Sequence, residues 1–313
     1  MSVRSMERFE CLYMLKELRQ GIGKRFRKAY MLRDGSIKIT LDKVSYIVTP
    51  GKRVSLLTAK REDYRENSFT QKLRKELSRK ILESVDLLEG DRVFVFSFSD
   101  GYKLYVQVYG KGAVMLFRDD VMVDGMNRQR FSPEVSTLET LVEKYPTKPL
   151  GAILVRLLGK KYAKWLIEKE GLPEKEEVSR IMTTELVSKI KEGVEELEMV
   201  AKPHLCSNDY SLVKINDTCE EVESLSKAMD LYYVTEEVDT EKIKLEKTIE
   251  KQKAKAEEYE EKARSYRLIG QWIFSHAHEV DNILAAVRKG SVDYGKVNKK
   301  DKTVEIEVEL GTS

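Results

Sequence analysis

The sequence predicts a multidomain α+β protein: an antiparallel β-sandwich N-terminal domain, a helical domain, and a long coiled-coil helix. Three observations predict it. Alternating apolar segments separated by Asp-Gly and Gly-rich turns run through residues 37–123, the pattern of an antiparallel meander. From residue 136 the apolar spacing changes to that of helices. Over 238–288 the positions Leu245, Ile249, Gln252, Ala256, Tyr259, Ala263, Tyr266, Gly270, Ile273, Ala277, Val280, Leu284 and Val287 advance by fours and threes, a sustained heptad seam. The predicted boundaries are 1–135, 136–235 and 236–313. A length of 313 residues accommodates two or three units at roughly 100–200 residues each. A charged fraction of 35%, against about 25% in ordinary globular chains, requires at least one long solvated helix.

The elements follow in order. Residues 7–20 place Phe9, Leu12, Tyr13, Leu15 and Leu18 on one broad helical face, and Gly21 and Gly23 end the helix. Strands 37–41 and 44–49 flank an Asp42-Lys43 turn, Pro50-Gly51 closes that pair, and 53–57 adds another strand. Ser68 and Gln71 have capping-box spacing for a helix reaching about Lys80. A meander follows through ILESVDLL, DRVFVFSF, YKLYVQVY, GAVMLF and VMV, with turns at Glu89-Gly90, Asp100-Gly101, Gly110-Lys111-Gly112 and Asp119-Asp120. Ser136 and Glu139 suggest a second capping box. Helices fit at 136–145, 150–158, 160–170 and 174–199, split by Pro146, Pro149, Gly159 and Pro173. A strand at 210–215 and a helix at 221–234 complete the second unit. The last segment, TVEIEVEL (303–310), is predicted as a lone alternating strand.

Charge is unevenly spread. Residues 1–61 hold fifteen Lys/Arg against five Asp/Glu, a local +10, so the remainder of a +3 chain carries −7. A basic module on a near-neutral protein fits an anionic partner such as nucleic acid, or simply a solvated basic surface. No run approaches the ~18 apolar residues of a membrane span, and the N-terminus lacks the apolar centre of a secretory signal. Cys11, Cys206 and Cys219 show no disulfide or metal spacing, which points to a reducing cytoplasmic compartment. His276 and His278 sit two apart on a helix and face different ways, so they cannot share a metal. No P-loop, dinucleotide fingerprint or nucleophile elbow is present. The expectation is therefore no catalytic residue, no metal and no cofactor. The seam lacks a second heptad helix to pair with, which leaves another copy, another protein or a return helix as its partner.

Three local features carry possible chemistry. Asp91 and Arg92 open a strongly apolar strand after Gly90, as either a turn and surface cation or a binding pair. LLGKKYAKWLI (157–167) has the form of a helical hairpin around Gly159, with Lys160 and Lys161 at a helix start where backbone N–H groups can meet phosphate. A plain helix pair fits it as well. Arg74 and Lys75 are phosphate candidates or a solvated helix face.

Taken together and in order, these pieces resemble the NFACT family of ribosome quality-control factors, some of which are labelled fibronectin-binding proteins. The landmarks are LKELRQ (15–20), SFTQKLRKEL (68–77), GDRVFVFSF (90–98), YGKGAVMLFRD (109–119), LGKKYAKWL (158–166), SKAMDLYY (226–233) and the coil from Gln252 to Ile273. The resemblance implies a formamidopyrimidine-glycosylase-like N-terminal domain over 1–135, a helix-hairpin-helix domain over 136–235, and the first helix of a coiled-coil arm over 236–313. It implies binding to tRNA and to an obstructed large ribosomal subunit holding peptidyl-tRNA, in support of untemplated alanine-type tailing. It places tRNA contacts at Glu10, Asp91 and Arg92, while Arg74 and Lys75 stay further phosphate candidates and Lys160 and Lys161 candidates for the RNA backbone. Family members continue into a return helix, an RNA-binding domain and a C-terminal domain, so this sequence is expected to be a truncated form, and its seam could self-associate. Peptidyl transfer would belong to ribosomal RNA, not to a protein nucleophile. Ser2 follows Met1 where glycosylases use an N-terminal proline, which disfavours a DNA glycosylase or lyase. The other rival is a cytosolic scaffold or adhesin-like protein acting through its coil.

Overall fold

The computed structural model describes residues 4–131, 136–290, 295–298 and 303–307, with side chains outside 235–244. They form two compact units, Met1–Val238 and Asp239–Ser313. The architecture is α+β with antiparallel sheets. Residues Met1 and Ser2, which bear on glycosylase chemistry, lie outside the described residues.

The first unit opens with α1 (Arg8–Leu18), which a single 3-10 turn ends at Gly21. Strands β1 (Phe26–Leu32), β2 (Ile37–Leu41), β3 (Val44–Thr49), β4 (Arg53–Leu56) and β5 (Tyr64–Arg65) form one sheet in the order β4-β3-β2-β1-β5. The β2–β3 turn stands where Asp42-Lys43 predicted it, with Asp42 at φ +43°. Strands β1 and β5 were not foreseen. Arg27 and Lys28 interrupt the apolar alternation of β1, and β5 is only two residues long.

Helix α2 (Ser68–Glu76) is capped by Asn67, whose side chain accepts from the Thr70 backbone N–H. The expected Ser68 cap therefore moves back by one residue, and the helix ends before Lys80. The second sheet runs β10-β9-β8-β7-β6, from β6 (Leu82–Leu87), β7 (Val93–Phe98), β8 (Tyr102–Gln107), β9 (Val114–Arg118) and β10 (Val121–Met126). It is a pure meander. Its three-residue β7–β8 turn holds Asp100 and Gly101 at positive φ, and its two-residue Asp119-Asp120 turn holds both residues there, as a type I′ hairpin requires. The inner faces share one core. Tyr46 meets Phe96 at 5.4 Å between ring centroids, and Phe26 meets Phe98 at 6.3 Å. At one end the Pro50-Gly51 turn crosses the Gly110-Lys111-Gly112 turn, and the Gly51 N–H donates to the Gln107 carbonyl at 3.0 Å. A Cβ on Gly112 would lie 1.9 Å from the Gly51 nitrogen.

Four helices follow: α3 (Leu138–Lys144), α4 (Leu150–Leu158), α5 (Lys160–Glu170) and the short α6 (Val178–Ile181). Thr137, not Ser136, caps α3, in a reciprocal pair with Thr140. The expected 174–199 helix divides into α6 and α7 (Thr184–Val200), with Thr183 capping the latter. Strands β11 (His204–Cys206), β12 (Asp209–Ser211) and β13 (Glu220–Glu221) make a small sheet in the order β12-β11-β13. Its register pairs His204 with Glu221 and Leu205 with Glu220. The next pair outward is Cys206 and Cys219, and they form a disulfide. This corrects the expectation of three unpaired thiols. Strand register brings the two together, which their spacing of thirteen residues did not disclose. Only Cys11 is free, and it is buried.

Helix α8 (Leu225–Ser275) replaces the two helices expected at 221–234 and 238–288. Its first turn belongs to the core of the first unit. Glu17 accepts from the Leu225 and Ser226 backbone N–H groups at 2.7 and 3.0 Å, and Arg53 forms a buried ion pair with Asp230 at 2.7 Å. In the second unit, α9 (Ala277–Arg288) follows a break at His276. The seam residues Leu245, Tyr259, Tyr266 and Ile273 are exposed there. The terminal segment is not a lone strand: Lys296–Asn298 (β14) pairs with Thr303–Glu305 (β15). Residues 308–310 of the expected strand lie outside the described residues.

Candidate functional site: a basic, aromatic cleft

A cleft of about 510 Å³ opens between the second sheet and the helical layer. The β6–β7 turn supplies Gly90, Asp91 and Arg92, β8 leads into Tyr109, α1 and the residue before it give Arg8 and Glu7, and the helical layer contributes Tyr145, Arg156 and Lys160. Four cations thus face two carboxylates, so the lining carries a formal +2.

The two walls repeat one arrangement. On the sheet side, the Arg92 guanidinium lies over the Tyr109 ring at 4.9 Å. On the helical side, the Arg156 guanidinium lies over the Tyr145 ring at 4.5 Å. A guanidinium held over a ring keeps its outer donors for a ligand, and the rings offer π faces. Asp91 fixes the sheet side. Its Oδ1 accepts from the Arg92 backbone N–H at 2.7 Å, and its Oδ2 accepts from the Tyr109 hydroxyl at 3.0 Å. Burial and Asp91 hold the Tyr109 hydroxyl above its usual range, whereas nearby Arg92 favours its ionisation. Asp91 is therefore a positioning group, with its carboxylate already committed. Arg92 Nη1 donates to the Met6 carbonyl at 2.7 Å, and Arg8 Nη1 donates to the Asp91 carbonyl at 3.2 Å. Burial draws the Arg8 guanidinium down from its ordinary value.

The predicted residues separate into three groups. Asp91, Arg92 and Lys160 share the cleft. Glu10 and Lys161 do not face it. Glu10 is fully buried: its carboxylate accepts from both Arg4 Nη atoms at 2.8 and 2.7 Å, from the Glu7 N–H at 2.8 Å, and from the Tyr162 hydroxyl at 2.8 Å. Burial alone would raise its pKa, but Arg4 and then Lys161 overcome that and bring it down to about 2. A carboxylate with its acceptor positions filled and no solvent exposure cannot touch RNA, so the direct contact expected at Glu10 is corrected to a structural one. Lys161 donates Nζ to Asp209 at 3.0 Å and to the Tyr210 carbonyl at 2.5 Å. Its backbone N–H is taken by Glu7 Oε2 at 3.0 Å. The start of α5 is thus already capped by a carboxylate, where a free phosphate seat was expected. Burial, and then Glu10, push the Glu7 carboxyl above its usual range. The third group, Arg74 and Lys75, lies on α2, outside this cleft.

Arg8, Tyr109, Tyr145 and Arg156 escaped the sequence reading. Arg156 is the only charge in the apolar helix LGAILVRLL, and Tyr145 stands directly before Pro146. An isolated cation in an apolar helix was the available signal.

Residues 11–137 match the family described as NFACT N-terminal and middle domains. No curated protein matches the chain in sequence. Solved structures similar in fold include the following two. One is the N-terminal part of a fibronectin/fibrinogen-binding protein from Streptococcus suis, at 19% identity and a TM-score of 0.54, covering 72% of this chain and 97% of that one. The other is a fibrinogen-binding protein from Staphylococcus aureus, at 15% identity and a TM-score of 0.54, covering 71% of this chain and 96% of that one.

Proposed function

From a chain whose residues 11–137 carry an NFACT N-terminal module, we propose a ribosome-associated quality-control factor that binds tRNA through the basic cleft. The observation that carries the proposal is the pairing of Arg92 over Tyr109 with Arg156 over Tyr145 across one opening. Arginine beside half-buried tyrosine rings suits RNA: the guanidinium meets phosphate bidentately, while the ring accepts a base. Arg8 and Lys160 extend the cationic lining. A helix pair joined at Gly159, α4 and α5, supplies one wall and is used here as a helix-hairpin-helix element. In this reading the protein works in the cytoplasm, on a large ribosomal subunit that still holds peptidyl-tRNA. It presents tRNA for untemplated tailing and contributes no nucleophile of its own. The bond-making step belongs to ribosomal RNA.

The test is tRNA binding across a salt series for the wild-type chain, Arg92→Ala and Arg156→Ala. Each substitution is expected to weaken binding about five- to 150-fold, the loss of 1–3 kcal/mol typical of one good bidentate contact. The slope of log K against log salt should fall by about one for each phosphate contact removed. Wild-type affinity in both variants would sink the cleft as the tRNA site. Failure of the protein to sediment with large subunits would sink the ribosomal role.

A second reading has its own support. The two solved structures are named as fibronectin- or fibrinogen-binding, and the Cys206–Cys219 disulfide suits an oxidising compartment. It predicts saturable fibrinogen binding that Arg92→Ala leaves intact.

A further inference from the structure

The cleft leaves most of the N-terminal positive charge unused, and part of that charge gathers around an aromatic pair elsewhere on the first unit. Tyr30 of β1 and Tyr64 of β5 stack at 4.6 Å between centroids with planes 31° apart. Each ring carries its own cation: Arg74 of α2 lies 5.0 Å from the Tyr30 centroid, and Lys38 of β2 lies 5.4 Å from that of Tyr64. The arrangement is held from below. Arg74 Nη1 donates to the Ala29 carbonyl at 2.7 Å, and Lys38 Nζ donates to the Tyr64 hydroxyl and the Arg61 carbonyl, both at 3.0 Å. Tyr64 is nevertheless 39% exposed.

The surrounding charge is net positive. Lys28 shares a face with Tyr30 two residues on, Arg65 adjoins Tyr64, and Lys75 adjoins Arg74. All three are exposed, and none forms an ion pair among the described residues. Of the nearby carboxylates, Asp34 and Asp63 are held by Arg61 at 2.8 and 3.1 Å, Glu62 pairs with Lys60 at 3.2 Å, and Glu66 accepts from the Gln71 side-chain amide at 2.7 Å. An exposed Tyr64 ring against a half-buried Tyr30, in a positive field, favours stacking of a base from a strand whose phosphates track the cations, whatever the base. A duplex keeps its bases stacked inside and offers only phosphate, so the aromatic pair selects unpaired nucleotides.

We propose that this edge, formed by β1, β5 and α2, is a second RNA contact, which stacks an unpaired nucleobase on the Tyr30–Tyr64 pair and seats flanking phosphates against Lys28, Arg65 and Lys75. It rests on the RNA-binding reading of the chain but not on the cleft. Arg74 serves the contact by holding Tyr30, so its role is positioning rather than direct phosphate binding.

The experiment uses the full chain and a fluorescent ten-residue oligouridylate, beside a ten-base-pair RNA duplex and tRNA. Variants are Tyr64→Ala, Tyr64→Phe, Lys75→Glu, and the cleft double substitution R92A/R156A. Tyr64→Ala is expected to weaken oligouridylate binding about five- to 150-fold, matching the 1–3 kcal/mol of one base–aromatic stack. Tyr64→Phe should stay close to wild type, because the ring remains. Exposed Lys75→Glu, which disturbs no packing, should weaken binding and flatten its salt dependence. With 4-thiouridine in the oligomer, the photo-crosslink should map to the peptides holding Tyr30 or Tyr64. In R92A/R156A the oligouridylate crosslink should still map to the peptides holding Tyr30 or Tyr64; if that variant also keeps tRNA binding, the cleft reading fails while the edge stands. The edge is overturned if wild type does not bind oligouridylate, if Tyr64→Ala binds as wild type, or if the duplex binds as tightly as the single strand.

Discussion

Glu7 closes the first turn of α5: its Oε2 accepts from the Lys161 backbone N–H at 3.0 Å, 154 residues away in sequence. The segment that starts α1 and the helical hairpin are thereby one assembly, and the cleft between sheet and helices has a fixed floor. A carboxylate at a helix start also suits the helix dipole.

Gly159 makes this contact possible. It stands at φ +101°, and a Cβ there would meet Glu7 Oε2 at 2.3 Å and Glu7 Cβ at 2.6 Å. Gly159→Ala is expected to destabilise the fold by about 2–3 kcal/mol, because strained backbone and displaced cap add together. Thermal melting checks this, with a fall of roughly 4–12 °C for a unit of this size. An unchanged melting temperature would mean that the hairpin can turn without Glu7.

Glu10 should set the acid limit of the fold. Its folded pKa of about 2 lies below the usual value of 4.5. A depressed carboxylate contributes stability that is present above about pH 4.5 and is lost as pH falls toward 2. Denaturant unfolding across pH 2–7 is expected to show that loss, on the order of 3 kcal/mol. Glu10→Gln should remove this part of the pH dependence while costing about 3–5 kcal/mol at pH 7, since it leaves Arg4 and Lys161 beside an uncharged group. An unchanged pH profile in the variant would assign acid sensitivity elsewhere.

Where the two sheets' turns cross, Gly112→Ala would place a methyl group 1.9 Å from the Gly51 nitrogen and 2.2 Å from the Pro50 carbonyl carbon. Backbone cannot swing aside as a side chain can. The expected cost is about 2–4 kcal/mol, within the range for named severe mechanisms. Gly110→Ala has no such neighbour within 4 Å, so it pays only for its positive φ and should cost less. Equal melting temperatures for the two would contradict the crossing of these turns.

The Cys206–Cys219 disulfide closes a short loop at the edge of the small sheet. A loop of this size is worth about 3 kcal/mol. Reduction is expected to lower stability by that order, and Cys206→Ser to reproduce the loss and abolish the effect of reductant. Thiol titration of unfolded, unreduced protein should find one free thiol, Cys11; a count of three would refute the bond.

Much of the fold was written locally. The meander followed its Asp-Gly turns, and α4 and α5 fell at the residues that Pro149, Gly159 and Gly171 delimit. The failures share a cause. Strand β1 hides behind Arg27-Lys28, both exposed where its pairing with β2 shifts register, so the alternation breaks there. The caps shifted to Asn67 and Thr137 because several adjacent residues could each have served, and packing chose between them.

The candidate site was half legible. Asp91, Arg92 and Lys160 could be singled out because each lies in or beside a turn, where a polar residue before an apolar run stands out. Arg8, Tyr145 and Arg156 could not, since each belongs to a helix or its end and meets the others only when helices pack on the second sheet. By itself, the sequence determined the meander, the helices α1, α2, α4 and α5, the heptad pattern and the basic N-terminal module, because these depend on periodicity, turn conformation and charge count. Only the tertiary structure decided that Glu10 is buried, that Lys161 is spent on Asp209 and Tyr210, and that Cys206 meets Cys219. Exposure and partnership of a side chain depend on residues as far as 229 positions away, as in the hydrogen bond from the Tyr233 hydroxyl to the Arg4 carbonyl, and no local pattern encodes that distance.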